Sequence, residues 1–138
     1  MSECTKELFQ RFLETERDLV EELCCLSEEE LNLPIAGSSR ARNIRQVLMQ
    51  TLHHATDHAV HTVKTRSQIE APRNEVNLLV GDILAAHGQM LGQALGLAPE
   101  TLEKAPQGEW SVRQILEHVI EVDHRYMERV REARKQTG

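Results

Sequence analysis

The sequence predicts an all-α protein, a four-helix bundle in which one helix pair is repeated. Three observations carry that expectation. Aromatic residues make up only 3% of the chain and β-branched clusters are few, so a sheet has little to build with. Apolar residues recur at helical spacing over four long stretches, each about 33 Å long if helical. And the chain repeats itself. Leu26-Ser-Glu-Glu-Glu-Leu31 before Pro34 is matched by Leu97-Ala-Pro-Glu-Thr-Leu102 before Pro106, and NIRQVL from Asn43 is matched by SVRQIL from Ser111. At 138 residues one domain is expected over 1–138, with half-repeats at about 4–66 and 74–135.

Each element has its own signal. The first helix should run from about Cys4 to Leu26, with Phe9, Phe12, Leu13, Leu19, Val20 and Leu23 as its apolar stripe. Ser27 to Glu30 is a capping-box pattern, opening a short turn that ends before Pro34. The loop IAGSSRAR follows. A second helix is expected from Asn43 to about Arg66, ending at the SQIEAPRN break with its Pro72. A third should span Asn74 to Leu95 and stop at Gly96. Pro99 suits the first position of another short turn. After the APQGE loop the fourth long helix runs from Ser111 to about Lys135. Asn43 and Ser111 are both N-caps followed by a glutamine at N3, Gln46 and Gln114, and Trp110 is placed to staple onto Ile115.

Composition narrows the function classes. A net charge of -6 and a pI near 5.6 argue against nucleic acid or an anionic membrane as the main partner. No apolar run approaches the roughly 20 residues of a membrane span, and the start MSECTKELFQ lacks a signal-peptide pattern. Cys4, Cys24 and Cys25 are odd in number, and neighbours rarely bridge each other without strain. A reducing, cytoplasmic setting is expected.

The chemistry concentrates in histidine. LHHATDHAVH, residues 52–61, holds four of the seven histidines. The stripe of that helix consists of Ile44, Val47, Leu48, Thr51, Ala55, Ala59 and Thr62. His58 falls on its edge, with His54 just beyond, His61 further out and His53 toward solvent. Spacing of i, i+4 lets two imidazoles on one helix reach one metal ion. On the last helix His118 borders the stripe of Val112, Ile115, Val119, Val122, Tyr126 and Val130, roughly as His54 does on its own helix, while His124 points away. Two readings stand. The column is a half-exposed polar margin, or His54, His58 and His118 close a three-imidazole site for zinc, nickel or a similar ion with one position open.

Other groups are candidates around that site. Asp57 and Glu121 each lie three residues from a proposed ligand, close enough to orient an imidazole or act as a base, or simply to be solvated surface. Tyr126 is expected in the core. His87 sits in the middle of the stripe Val76, Val80, Ile83, Met90 and Ala94, as a core histidine or else a fourth ligand or catalytic base. Gly81, Ala85, Gly88 and Gly92 line the opposite side, which suggests close approach of another helix, a dimer interface included.

GEWSVRQILEHVIEVDHRYMERV, residues 108–130, resembles the signature of the DinB/YfiT-like superfamily of four-helix metalloproteins. In that family a Trp-Ser helix start leads to a histidine eight residues after the Trp, as Trp110 and His118 do here. LHHATDHAVH resembles its second, histidine-rich motif, and LSEEELNLP and LAPETLEKAP resemble the segment before the Trp-Ser start. The motif order is reversed relative to the family, and HAVHTVKTR stands where a His-Arg-Gly-Gln phrase is common. The matching pair is therefore His54 with His58 or, alternatively, His58 with His61. The resemblance implies a bound divalent metal, a homodimer, and a small-molecule substrate handled with a low-molecular-weight thiol as cosubstrate in transferase or isomerase chemistry. A metal-dependent transferase or hydrolase leads these readings, ahead of a non-catalytic binding module and a metal-free helical interaction protein.

Overall fold

The computed structural model describes residues 3–37 and 40–136, so Ser38 and Ser39 of the IAGSSRAR loop lie outside the described residues. The protein is all-helical: α1 (Glu3–Leu23), α2 (Ile44–Gln68), α3 (Glu75–Ala94), the short α4 (Pro99–Leu102) and α5 (Val112–Gln136), with a 3₁₀ turn at Glu30–Asn32. Among the described residues no strand forms, and the one β-type contact is an isolated antiparallel bridge between Pro34 and Asn43. No described helix is long and apolar enough to cross a membrane. The chain divides into two compact units, Met1–Leu78 and Leu79–Gly138.

In the first unit α1 ends at Leu23, short of the expected Leu26. The cause is the next cap: the Ser27 amide donates to Glu30 Oε2 at 2.8 Å and so leaves the helical ladder, while the Glu30 amide donates to Ser27 Oγ at 3.2 Å. The chain then folds back on itself, Ile35 N donating to Arg42 O and Ile44 N to Leu33 O, which sets the 3₁₀ turn against the start of α2. Ala41 is buried in this corner. Asn43 caps α2 by accepting from the Gln46 amide at 3.0 Å. The Gln46 side chain reaches back one residue further than a capping box requires, accepting from Arg42 N at 2.7 Å. At the far end Arg66 donates to Pro72 O, and Glu70 takes a left-handed φ of 50°, which turns the chain toward α3. Asn74 accepts from the Asn77 amide and opens α3.

In the second unit α3 stops where expected, with Gly96 at φ 78° as its left-handed terminator. Pro99 opens α4, and a Glu103–Arg113 ion pair joins the residue after α4 to the first turn of α5. Gly108, also at φ 78°, turns the chain into the α5 cap. There the box is reciprocal: Ser111 N donates to Gln114 Oε1 at 2.8 Å and Gln114 N to Ser111 Oγ at 3.2 Å.

Burial departs from the expected pattern. Among the described residues only Ala41 and Ser111 are buried. Phe9, Phe12, Leu13 and Leu19 of the α1 stripe are exposed, and Tyr126, expected in the core, is 54% exposed. Helical spacing lines up an apolar face; it does not by itself supply what covers that face. The glycines of α3 differ too. A Cβ added at Gly81, Gly88 or Gly92 would meet nothing within 4 Å, so the close helix approach expected there does not occur among the described residues.

Candidate functional site

The candidate ligands fall in different units, three on α2 and one on α5, and each group has its own geometry. On α2 the one-turn spacing brings histidine rings together, although the stripe expected to face the core, Val47, Thr51, Ala55, Ala59 and Thr62 among it, is exposed. His54 and His58, one turn apart, meet edge to face with ring centroids 4.5 Å apart, and His58 and His61 are 5.8 Å apart at 33°. All three are exposed. Thr51, Thr56 and Thr62 turn their hydroxyls back onto carbonyls of their own helix, Thr62 onto that of His58 at 2.7 Å, so none of these hydroxyls competes for the imidazoles. Asp57 lies 3.5 Å from His53 Nε2, on the side of the histidine expected to face solvent.

On α5 the cap decides what His118 meets. Trp110, one residue before Ser111, rests edge-on against His118 with centroids 4.8 Å apart. The staple partner expected for Trp110, Ile115, is itself exposed, as is Trp110. Trp110, Gln114, Glu117, His118 and Glu121 line an open hollow of about 360 Å³. Both carboxylates are engaged along the helix, Glu117 with Arg113 and Glu121 with Arg125, each at 3.7 Å. The Glu103 carboxylate, ahead of Glu117, holds the Arg113 guanidinium above its ordinary pKa.

His87 is neither buried nor alone. Its Nε2 lies 3.1 Å from Asp123 Oδ2, with the two side chains 40% and 41% exposed. This corrects the expectation of a core histidine. His87 and Asp123 border a cleft of about 230 Å³ whose other walls are Met90, Leu91, Leu116, Val119 and Ile120. Asp123 escaped the sequence reading. The signal was present: it is a carboxylate on the apolar side of α5, as His87 is an imidazole on the apolar side of α3.

The thiols are free. Cys24 Sγ and Cys25 Sγ are 3.5 Å apart and unbridged, and that contact keeps the Cys24 thiol protonated to higher pH than usual. Within neither unit do the described residues gather three or more His, Cys, Asp or Glu side chains around a point suited to a metal ion. Compared with known protein families, with curated proteins and with solved structures, the chain matches none.

Proposed function

We propose that this chain is a divalent-metal-binding protein of the DinB-like kind, a four-helix bundle of two related helix pairs that acts in the cytoplasm as a homodimer. His54 and His58 of α2 and His118 of α5 hold a zinc or nickel ion, with His61 as the alternative to His54. The observation that carries this reading is the His54–His58 pair. With nitrogen–metal distances near 2.0–2.1 Å, two imidazoles on one tetrahedral ion keep their centroids about 5 Å apart. The 4.5 Å of His54–His58 and the 5.8 Å of His58–His61 both lie within about an ångström of that value, and the i, i+4 spacing favours the first pair. Three neutral imidazoles are also a donor set that suits borderline ions and leaves one coordination position for exchangeable ligand.

An ion so held supplies one kind of chemistry, lowering the pKa of a bound water or thiol so that a nucleophile exists at neutral pH. That is the basis for assigning a thiol-dependent transferase or a hydrolase acting on a small molecule. Asp57 and Glu121 remain the candidate carboxylates to orient an imidazole or act as a base; in the structure they contact His53 and Arg125. The test is metal content of protein purified without a histidine tag. About one equivalent in the wild type, lost in His58→Ala and in His118→Ala, is expected. Wild-type protein devoid of metal after exposure to zinc and nickel would sink the reading.

A second reading, a metal-free helical interaction protein, is favoured by the exposed apolar residues Phe12, Leu52 and Val76 on three different helices. It gains if the metal measurement is negative.

A further inference from the structure

We propose that Cys24 and Cys25 form a two-thiol site that captures trivalent arsenic, with one position on the arsenic left for an exchangeable ligand. Adjacent side chains on a helix point about 100° apart and do not face each other. Because α1 ends at Leu23, Cys24 and Cys25 fall in the turn that follows, and there their sulfurs meet at 3.5 Å. The turn is held on both sides. The Cys24 amide still donates to Val20 O at 2.9 Å, the Leu26 amide donates to Leu23 O at 3.3 Å, and the Ser27 amide is fixed by Glu30. Cys24 is half-buried and Cys25 exposed, so a small reagent reaches the pair from solvent.

The gap between the sulfurs selects the kind of centre. At sulfur distances near 2.3 Å, two thiolates span about 3.8 Å on a tetrahedral ion, about 3.5 Å on a pyramidal centre with angles near 100°, and about 4.6 Å on a linear one. The observed 3.5 Å suits the pyramidal centre and is too short for the linear one. Among the described residues no third His, Cys, Asp or Glu joins the pair, and a pyramidal centre draws only one further ligand from solution. Protonation points the same way. Contact with the Cys25 thiol, and after it burial, holds the Cys24 thiol above its ordinary pKa, so its proton is in place at neutral pH. Arsenous acid needs no prior ionisation. Two of its hydroxyls take the two thiol protons and leave as water, two As–S bonds replace two As–O bonds, and arsenic stays trivalent with its third hydroxyl exchangeable. No histidine proposed to hold metal takes part, so the inference stands or falls apart from that reading.

The experiment uses the full chain, reduced and freed of small thiols, titrated with phenylarsine oxide and read by intact mass spectrometry. The phenyl group fills the third position, and the reagent's oxygen leaves as one water when two thiols bind. One phenylarsenic group per chain is expected in wild type, in Cys4→Ser and in His58→Ala. At the concentration that saturates wild type, Cys24→Ser and Cys25→Ser should carry none, with circular dichroism checking that both remain folded. 2,3-Dimercaptopropanol should strip the adduct where mercaptoethanol at equal thiol concentration does not. Unfolding Cys4→Ser in urea frees the turn that holds the sulfurs together, so half-saturation should then need about tenfold more reagent. An adduct retained by either single variant at Cys24 or Cys25 overturns the proposal. So does equal affinity of the folded and unfolded chain, or a fully reduced wild type that takes up no reagent.

Discussion

Ser111 holds the start of α5 from both directions, its amide on Gln114 Oε1 and its hydroxyl on Gln114 N, and it is one of two buried residues among those described. Ser111→Ala leaves the Gln114 amide unmatched and is expected to cost about 1 kcal/mol, measured as a lower urea midpoint at unchanged slope. Glu30 answers to pH. Its carboxylate accepts from the Ser27 amide first and the Ser27 hydroxyl second, and both hold its pKa below the usual value. A depressed carboxylate pKa means that the contribution is present above the ordinary glutamate range and is lost as pH falls through the folded value. The Ser27 amide signal should therefore move in an acid titration at a pH below that of an unpaired glutamate, and a midpoint at the ordinary value would refute the box in solution. Trp110 reports on His118. It is the single tryptophan and touches the imidazole edge-on, so zinc addition should change its emission in wild type and leave His118→Ala unaffected.

At the scale of the element, α3 carries three interior glycines with open space where a Cβ would go. Gly88→Ala should stabilise the chain by about 0.5–1 kcal/mol, through helix propensity and a less free unfolded state. Thermal melts of Gly81, Gly88 and Gly92 variants test it; destabilisation confined to one face would reveal a helix seated there in solution. The terminators behave in the opposite way. Gly96 and Gly108 sit at φ 78°, where alanine is strained, so either substitution should lower stability by about 1 kcal/mol. The long helices were legible in the sequence to within about three residues because caps and stripes act over a single turn. The premature end of α1 was missed because the Ser27 amide can satisfy either a helix or its own cap, and spacing alone does not choose.

For the molecule as a whole, the deciding quantity is the apolar surface. Phe12 is 65% exposed, and a bundle that buries it makes Phe12→Ala cost about 3 kcal/mol or more. A Phe12 left in water makes the same change worth less than about 0.5 kcal/mol. Denaturant unfolding separates the two outcomes and so tests the bundle itself. Sequence alone determined that the chain is helical, where its long helices lie to within about three residues, and that His54 and His58 share one face of α2. Those properties arise from hydrogen bonds and spacings within about four residues. Only the folded chain decided that His87 faces Asp123 and that Leu33–Ile35 folds against Arg42–Ile44. It also decided that Trp110 turns to His118. Each of these depends on loop geometry and side-chain direction, which bring together groups that periodicity treats as unrelated.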